Sequence, residues 1–200
     1  MTFSSRNSHN KGFSIVELIV TISVFALLST SLVGNYRSST KALSLSSLAA
    51  LVSSDIRRAQ AYGISNISRD NLSAPYYFAH GISFQEDPPD NKSYIIFADV
   101  NGNFINNNLG ACMGECVEKM AIVDGSYISA LCVNTKKTGT CTAVDSLHIS
   151  FKRPEPEPFI KGVIGGVPTS YDDAEITLKT RDGSLSKTIV VWKTGLVAVE

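Results

Sequence analysis

The sequence predicts an α+β fold: a long N-terminal helix, transmembrane and then amphipathic, packed on a C-terminal antiparallel β-sheet domain. Three observations lead there. No proline occurs before Pro75, and helical spacing of apolar residues runs far into the chain. From Ala74 onward the pattern changes to short β-rich pieces separated by turn dipeptides. The amphipathic part of the helix carries an apolar stripe with no partner of its own, and a sheet would cover it.

The helix comes first. Phe13 to Val33 is an apolar run of 21 residues whose only charge is Glu17. At ~1.5 Å per helical residue it is long enough to cross a bilayer core of ~30 Å. A carboxylate in such a run costs ~2.5–3.5 kcal/mol at the centre of a span, so Glu17, one turn in, asks for a partner. Beyond the run, Leu45, Leu48, Val52, Ile56 and Ala59 recur at i+3 and i+4. Asp55, Arg57 and Arg58 are placed mostly off that stripe. A single helix from Phe13 to about Ile64 would be ~78 Å long. Gly34 lies at the membrane exit, where the helix either yields first or packs closely on a neighbour.

The predicted strands are Tyr76–Phe84, Ser93–Asp99, Val117–Val123, Tyr127–Val133, Leu147–Lys152, Glu175–Thr180, Lys187–Trp192 and Leu196–Val199. Asp87-Pro88-Pro89-Asp90, Asn101-Gly102, Asp124-Gly125, Asp182-Gly183 and Thr194-Gly195 punctuate them. The segment Pro154-Glu155-Pro156-Glu157-Pro158 is expected to run extended along an edge, since proline cannot donate to a central ladder.

Gly12, Phe13, Ser14, Ile15, Val16, Glu17, Leu18, Ile19 and Val20 carry a resemblance to the type IV prepilin-like proteins. It rests on a cleavage glycine, an aromatic residue, a glutamate five residues after the glycine, and an apolar span in fixed register. The resemblance implies that a prepilin peptidase in the membrane removes the leader Met1–Gly12 and methylates the new Phe13 amine. It implies the pilin ladle architecture, with other pilin-like subunits as partners through the N-terminal helix, and an inner-membrane assembly platform. The run Glu175 to Val199 loosely resembles the closing strands of GspH/FimT-like minor pilins and pseudopilins. The division expected is leader 1–12, helix 13–64 with its span at 13–33, and an exported β-rich domain at 65–200.

Proteolysis would create the cation that Glu17 lacks. An α-amine has an ordinary pKa of ~7.7–8 and is mostly protonated at neutral pH. In a bundle of parallel helices, the amine of one subunit meets Glu17 of another and sets axial register.

Formal charge is balanced at 18 basic and 18 acidic residues, and losing Arg6 and Lys11 with the leader leaves 16 against 18. This gives no general attraction to nucleic acid or acidic membranes. The basic pairs Arg57-Arg58 and Lys136-Lys137 lack aromatic interleaving and read as solvated faces. Nucleic acid is therefore an unsupported partner, although some minor pilins of this type serve in DNA uptake. Arg6 and Lys11 before the span nearly balance Arg37 and Lys41 after it, so orientation rests on the leader and the cysteines. The leader is placed inside and everything after Val33 outside.

Cys112, Cys116, Cys132 and Cys141 cluster in the exported part and favour disulfides. Cys112–Cys116 with Cys132–Cys141 is favoured, and Cys116–Cys132 with Cys112–Cys141 is the alternative if Asp124-Gly125 makes a hairpin. A zinc site has the wrong spacing. Asp99, Asn101 and Asn103 look like the first half of a calcium loop, but Phe104 and Gly110 stand where glycine and glutamate belong, so a plain Asn-Gly turn is preferred. His80 and His148 are read as surface histidines, and Glu155 and Glu157 as solvated charges. No serine lies in a Gly-x-Ser-x-Gly elbow. The chain is read as a non-enzyme without a cofactor: a structural subunit of a type IV pilus-like filament. The alternatives are a type II secretion pseudopilin and a minor pilin that binds DNA or surfaces through loops such as Cys132–Cys141.

Overall fold

The computed structural model describes residues 12–65, 78–108 and 112–200, with the side chains of 31–38 and of residue 156 outside that description. The leader residues 1–11 and the start of the first predicted strand, Tyr76 and Tyr77, therefore lie outside the described residues. The chain divides into two compact units, Met1–Thr40 and Lys41–Glu200. The expected division at 64/65 thus falls inside the second unit, because the amphipathic part of the helix belongs to the β domain.

Helix α1 runs Ile15–Ile64. Its start is set by Ser14, whose hydroxyl accepts from the Val16 N–H at 3.3 Å while its carbonyl accepts from Leu18 N–H. A serine at this position satisfies donors that the first helical turn leaves free.

Among the described residues, eleven antiparallel strands follow: β1 Ala79–Gln85, β2 Ser93–Asp99, β3 Cys116–Ala121, β4 Tyr127–Val133, β5 Thr142–Ala143, β6 Ser146–Lys152, β7 Glu155–Ile164, β8 Val167–Tyr171, β9 Asp173–Lys179, β10 Ser186–Trp192 and β11 Val197–Val199. A single helical turn, α2 Thr135–Thr138, precedes β5. The strands form two sheets where one was expected: six strands in the order β3-β2-β1-β6-β7-β8, and five in the order β11-β10-β9-β4-β5. Asp124-Gly125 has the left-handed geometry of a tight hairpin, with φ of 66° and 73°. It nevertheless joins β3 of one sheet to β4 of the other.

The stripe of α1 closes the core. Leu45, Ala49, Val52, Ile56 and Ala59 are buried with Ile82, Phe84, Ile96 and Ile149 of the larger sheet and Leu131, Ile176 and Ile189 of the smaller one. Leu48 packs against the cluster from its margin. Each fully buried leucine or isoleucine contributes about 1.5–3 kcal/mol, so this one helix face supplies a large part of the domain's stability. Gly63 continues the stripe. A Cβ there would overlap the Phe151 carbonyl of β6, so the helix end approaches the sheet as only glycine permits.

Asp55 is a correction to the helix reading, since it is buried and not off the stripe. Its Oδ2 accepts from the Tyr94 hydroxyl at 2.6 Å, and its Oδ1 lies 3.4 Å from Arg58 Nη2, which also meets Glu118 at 2.9 Å. Burial first, and then the hydrogen bond to this carboxylate, push the Tyr94 hydroxyl above the usual phenol range. A buried charge is tolerated when such partners are supplied.

The proline-rich segment runs extended with a neighbour on one side only, as expected, but it belongs to a longer strand. It opens β7, which lies between β6 and β8. The physical reason is local: β8 pairs only with Ile160–Ile164, and on the β6 side Lys152↔Glu155 is followed by a register shift. The prolines occupy the overhanging start of the strand, and the interior part is proline-free. The two-residue loop Gly165-Gly166, with φ of 56° and 82°, makes the β7–β8 hairpin.

Candidate functional site

The N-terminal unit offers the first candidate. Its large apolar side chains, from Phe13 and Ile15 through Leu28, are 49–76% exposed. Its hydroxyls look inward to the helix: Thr21 donates to the Leu18 carbonyl, Ser23 to Ile19, Ser29 to Phe25, and Thr30 to Ala26. Each of these four hydroxyls is thus satisfied without water, the condition for life in an apolar medium. Among the described residues no helix is long and apolar enough to cross a membrane. The described side chains of this run stop at Thr30, whereas the run in sequence continues to Val33.

Glu17 sits in the first turn of α1. With Ser14 it forms the pattern Ser-x-x-Glu, and a carboxylate there interacts favourably with the helix dipole by about 0.3–1 kcal/mol. The sequence reading missed this local role, although the spacing from Ser14 to Glu17 signals it. Gly12 and Phe13 precede the helix and are exposed, on backbone outside any helix or strand. Such a stretch is open to a protease.

The second candidate is the outer face of the six-stranded sheet. The β2–β3 connection lies over it and is knitted by its own side chains. Asp99 accepts from the N–H groups of Gly102, Asn103 and Phe104 at 2.8, 3.1 and 3.0 Å. Asn101 accepts from Asn103 N–H, and Asn103 from Ile105 N–H, both at 3.0 Å. The oxygens of this weak calcium candidate thus accept from backbone donors, as in a turn. Among the described residues no group of three or more His, Cys, Asp or Glu side chains is placed to hold a metal ion. The loop is a longer structure than a plain Asn-Gly turn. It puts Phe104 at φ 64°, with its ring stacked on Phe159 at 4.1 Å, and Lys152 and Lys161 lie over that ring.

Both histidines are buried, contrary to the surface reading. His148 is 1% exposed, set edge-on to Phe97. Its Nδ1 accepts from the Asn106 N–H at 3.2 Å, and Ser146 Oγ lies 3.2 Å from its Nε2. Because the backbone N–H can only donate, Nδ1 must be bare and Nε2 carries the proton. A histidine so arranged donates to Ser146 and does not serve as its general base, so this Ser-His pair is structural. Burial lowers the His148 pKa to about 4. His80 packs edge-on to Tyr62 of α1, and burial lowers its pKa against the raising hydrogen bond that the ring donates to the Phe78 backbone.

The cysteines form Cys112–Cys116 and Cys132–Cys141, with Cα separations of 5.0 and 5.1 Å. Cys132–Cys141 ties β4 across α2 to the residue before β5. The basic pairs are occupied by protein groups: Arg57 donates to the Val197 carbonyl, and Arg58 meets Asp55 and Glu118. Lys136 meets Glu175 and Glu200, and Lys137 meets Asp172. Glu155 and Glu157 are exposed. A shallow cleft of about 560 Å³ lies between Ser44, Leu48 and Leu51 of α1 and Val123–Ser126.

Residues 7–33 match the model of the prokaryotic N-terminal methylation motif. The segment is thus similar to the start of type IV pilin and pseudopilin precursors. No curated protein and no solved structure matches the chain.

Proposed function

We propose that this chain is the precursor of a structural subunit in a type IV pilus-like filament, processed by a prepilin peptidase after Gly12 and N-methylated at Phe13. The observation that carries the reading is the motif match over 7–33, with Glu17 in register on a helix whose apolar side chains are exposed all round. A helix of that kind is completed by lipid or by other helices. Before processing, Phe13–Val33 anchors the chain in the cytoplasmic membrane with the β domain outside, where its disulfides form. After processing, the Phe13 amine faces Glu17 of a neighbouring subunit, and the apolar helices form the filament core. We read the chain as a structural subunit and not as an enzyme, a reading supported by the Ser146–His148 pair, which is buried with Nε2 donating to Ser146.

Mass spectrometry of the membrane-extracted protein tests the processing step. The expected chain begins at methylated Phe13, and an intact leader in cells with an active peptidase overturns the reading. Glu17→Ala is expected to insert normally and to fail in assembly, since a buried charge left without its partner costs about 3–5 kcal/mol. Assembly equal to the parent would remove the pairing role. A secretion pseudopilus uses the same helix, and recovery of the mature chain in sheared surface filaments distinguishes the pilus from it.

A further inference from the structure

The start of the β2–β3 loop, at Val100, and its middle, at Asn107, close on one buried carboxylate. Glu115 is 6% exposed. Its Oε1 accepts from the Val100 N–H at 3.2 Å. Its Oε2 accepts from the backbone N–H of Asn107 at 3.3 Å and from the Asn107 side-chain amide at 3.2 Å. The Glu115 carbonyl accepts from Ala98 N–H at 2.8 Å.

A small covalent ring encloses this residue. Glu115 lies inside the loop closed by Cys112–Cys116, beside Gly114, whose φ of 60° and contact with Asn108 leave no room for a Cβ. Cys112 is exposed, whereas Cys116 is 4% exposed and packs with Ile95 and Phe97. The other disulfide holds nothing comparable. Around Cys132–Cys141 the chain is independently fixed by Asn134 N–H to the Asp173 carbonyl and Lys136 N–H to the Asp173 carboxylate.

We propose that Cys112–Cys116 is a thiol–disulfide exchange site for a dithiol reductant, and that opening it releases Glu115 and lifts the β2–β3 loop from the outer face of the larger sheet. A thiolate of the dithiol attacks the exposed Cys112 sulfur. The S–S bond breaks, and Cys116 leaves as a thiolate and takes a proton from solvent. The second thiol of the reductant, as its thiolate, then displaces Cys112, which is protonated in turn. The protein pair gains two electrons, and the dithiol ends as its own disulfide. With the ring open, residues 112–116 gain conformations and the three donors at Val100 and Asn107 lose their fixed acceptor. The roof over Phe97, Ser83 and His148 then depends on the Asn106 and Phe104 contacts and on the Asp99 turn.

Hydrogen exchange read by mass spectrometry on the full chain in detergent micelles tests this, with dithiothreitol as the dithiol and alkylation mass reporting which pair has opened. Exchange over residues 99–108 is expected to rise about tenfold or more when Cys112–Cys116 opens, while β9 and β10 keep their protection. The double variant Cys112→Ser with Cys116→Ser should reproduce that rise, and Cys132→Ser with Cys141→Ser should not. An unchanged rate at 99–108 after alkylation proves Cys112–Cys116 open overturns the proposal. So does the same rise when only Cys132–Cys141 is lost. Should the double variant fail to fold, the dithiothreitol arm on the parent protein decides alone.

Discussion

From Phe13 to Leu28 the chain exposes its large apolar side chains, and from Lys41 onward it buries most of them. The first unit hides its hydroxyls in its own helix and presents hydrocarbon on every side. The second turns one face of the same helix inward, fills both sheets with Val, Ile, Leu and Phe, and pairs its charges across elements, as at Lys41–Asp182 and Arg58–Glu118. Two kinds of stability are therefore strung on one helix. The second unit is finished by its own contacts, and the first is finished by something else. The difference lies in where the stripe narrows: a helix apolar all round has no inside, whereas a stripe on one side has a definite partner.

The sharpest way to break this comparison is to remove the stripe. A chain beginning at Ser65 loses Leu45, Ala49, Val52, Ile56 and Ala59 from the core, and large-to-small changes at such sites already cost about 2–5 kcal/mol each. It is expected to aggregate or lose cooperative melting, whereas a chain beginning at Ser39 melts as one unit by circular dichroism. Equal stability of the two would mean that α1 is not part of the domain.

Next in size is acid sensitivity. Burial depresses His148 to about 4, below the ordinary ~6.5, so the unfolded chain binds a proton at a pH where the folded one does not. Its neutral form favours folding fully above pH ~6.5, and that contribution falls away as pH drops toward 4, by roughly 3 kcal/mol in all. Urea unfolding of the Ser39 chain at pH 7.5 and 4.5 should show the loss, and His148→Gln should flatten that part of the profile.

A smaller effect is expected from Tyr94→Phe. It takes the hydroxyl from a buried carboxylate that retains Arg58, costing about 1–3 kcal/mol without changing the fold. The least effect belongs to the other unit. Leu18→Ala or Phe25→Ala should leave the unfolding midpoint of the β domain where it was and alter only insertion or assembly. A shift of that midpoint would show that the two units do not stand separately.

Much of this architecture is legible in the residues. Ser93–Asp99 and Tyr127–Val133 are strands to the residue, because turn residues bound each of them and β-branched or aromatic residues fill them. The helix end near Ile64 and the stripe are equally plain, since their period is unbroken. Local pattern does not say which strands share a sheet, so Asp124-Gly125 reads as a hairpin when it crosses between sheets. Strand β7 is hidden by prolines that fall only in its overhang, and the Gly165-Gly166 turn after it was the signal to use. His80, His148 and Asp55 are misplaced for one reason: a lone polar residue in a strand or stripe shows its burial only once its partners, Tyr62, Asn106 and Tyr94, are in view. At the candidate site, Gly12, Phe13 and Glu17 stand out through fixed register, whereas Glu115 does not, because its three donors come from residues distant in type and pattern.

The margins of the two sheets carry a consequence of their own. A domain displayed many times along a fibre faces copies of itself at high local concentration, and open strand edges invite one molecule to stitch onto the next. Here β5 has two residues and β11 three, β8 carries Pro168, and β3 presents Glu118 and Lys119 beside a register shift at Ile96/Phe97. None of the four rims offers a long, flat run of free backbone donors and acceptors. In the filament we propose, such rims would let subunits be crowded together by their helices without their sheets fusing, leaving order along the fibre to the helix.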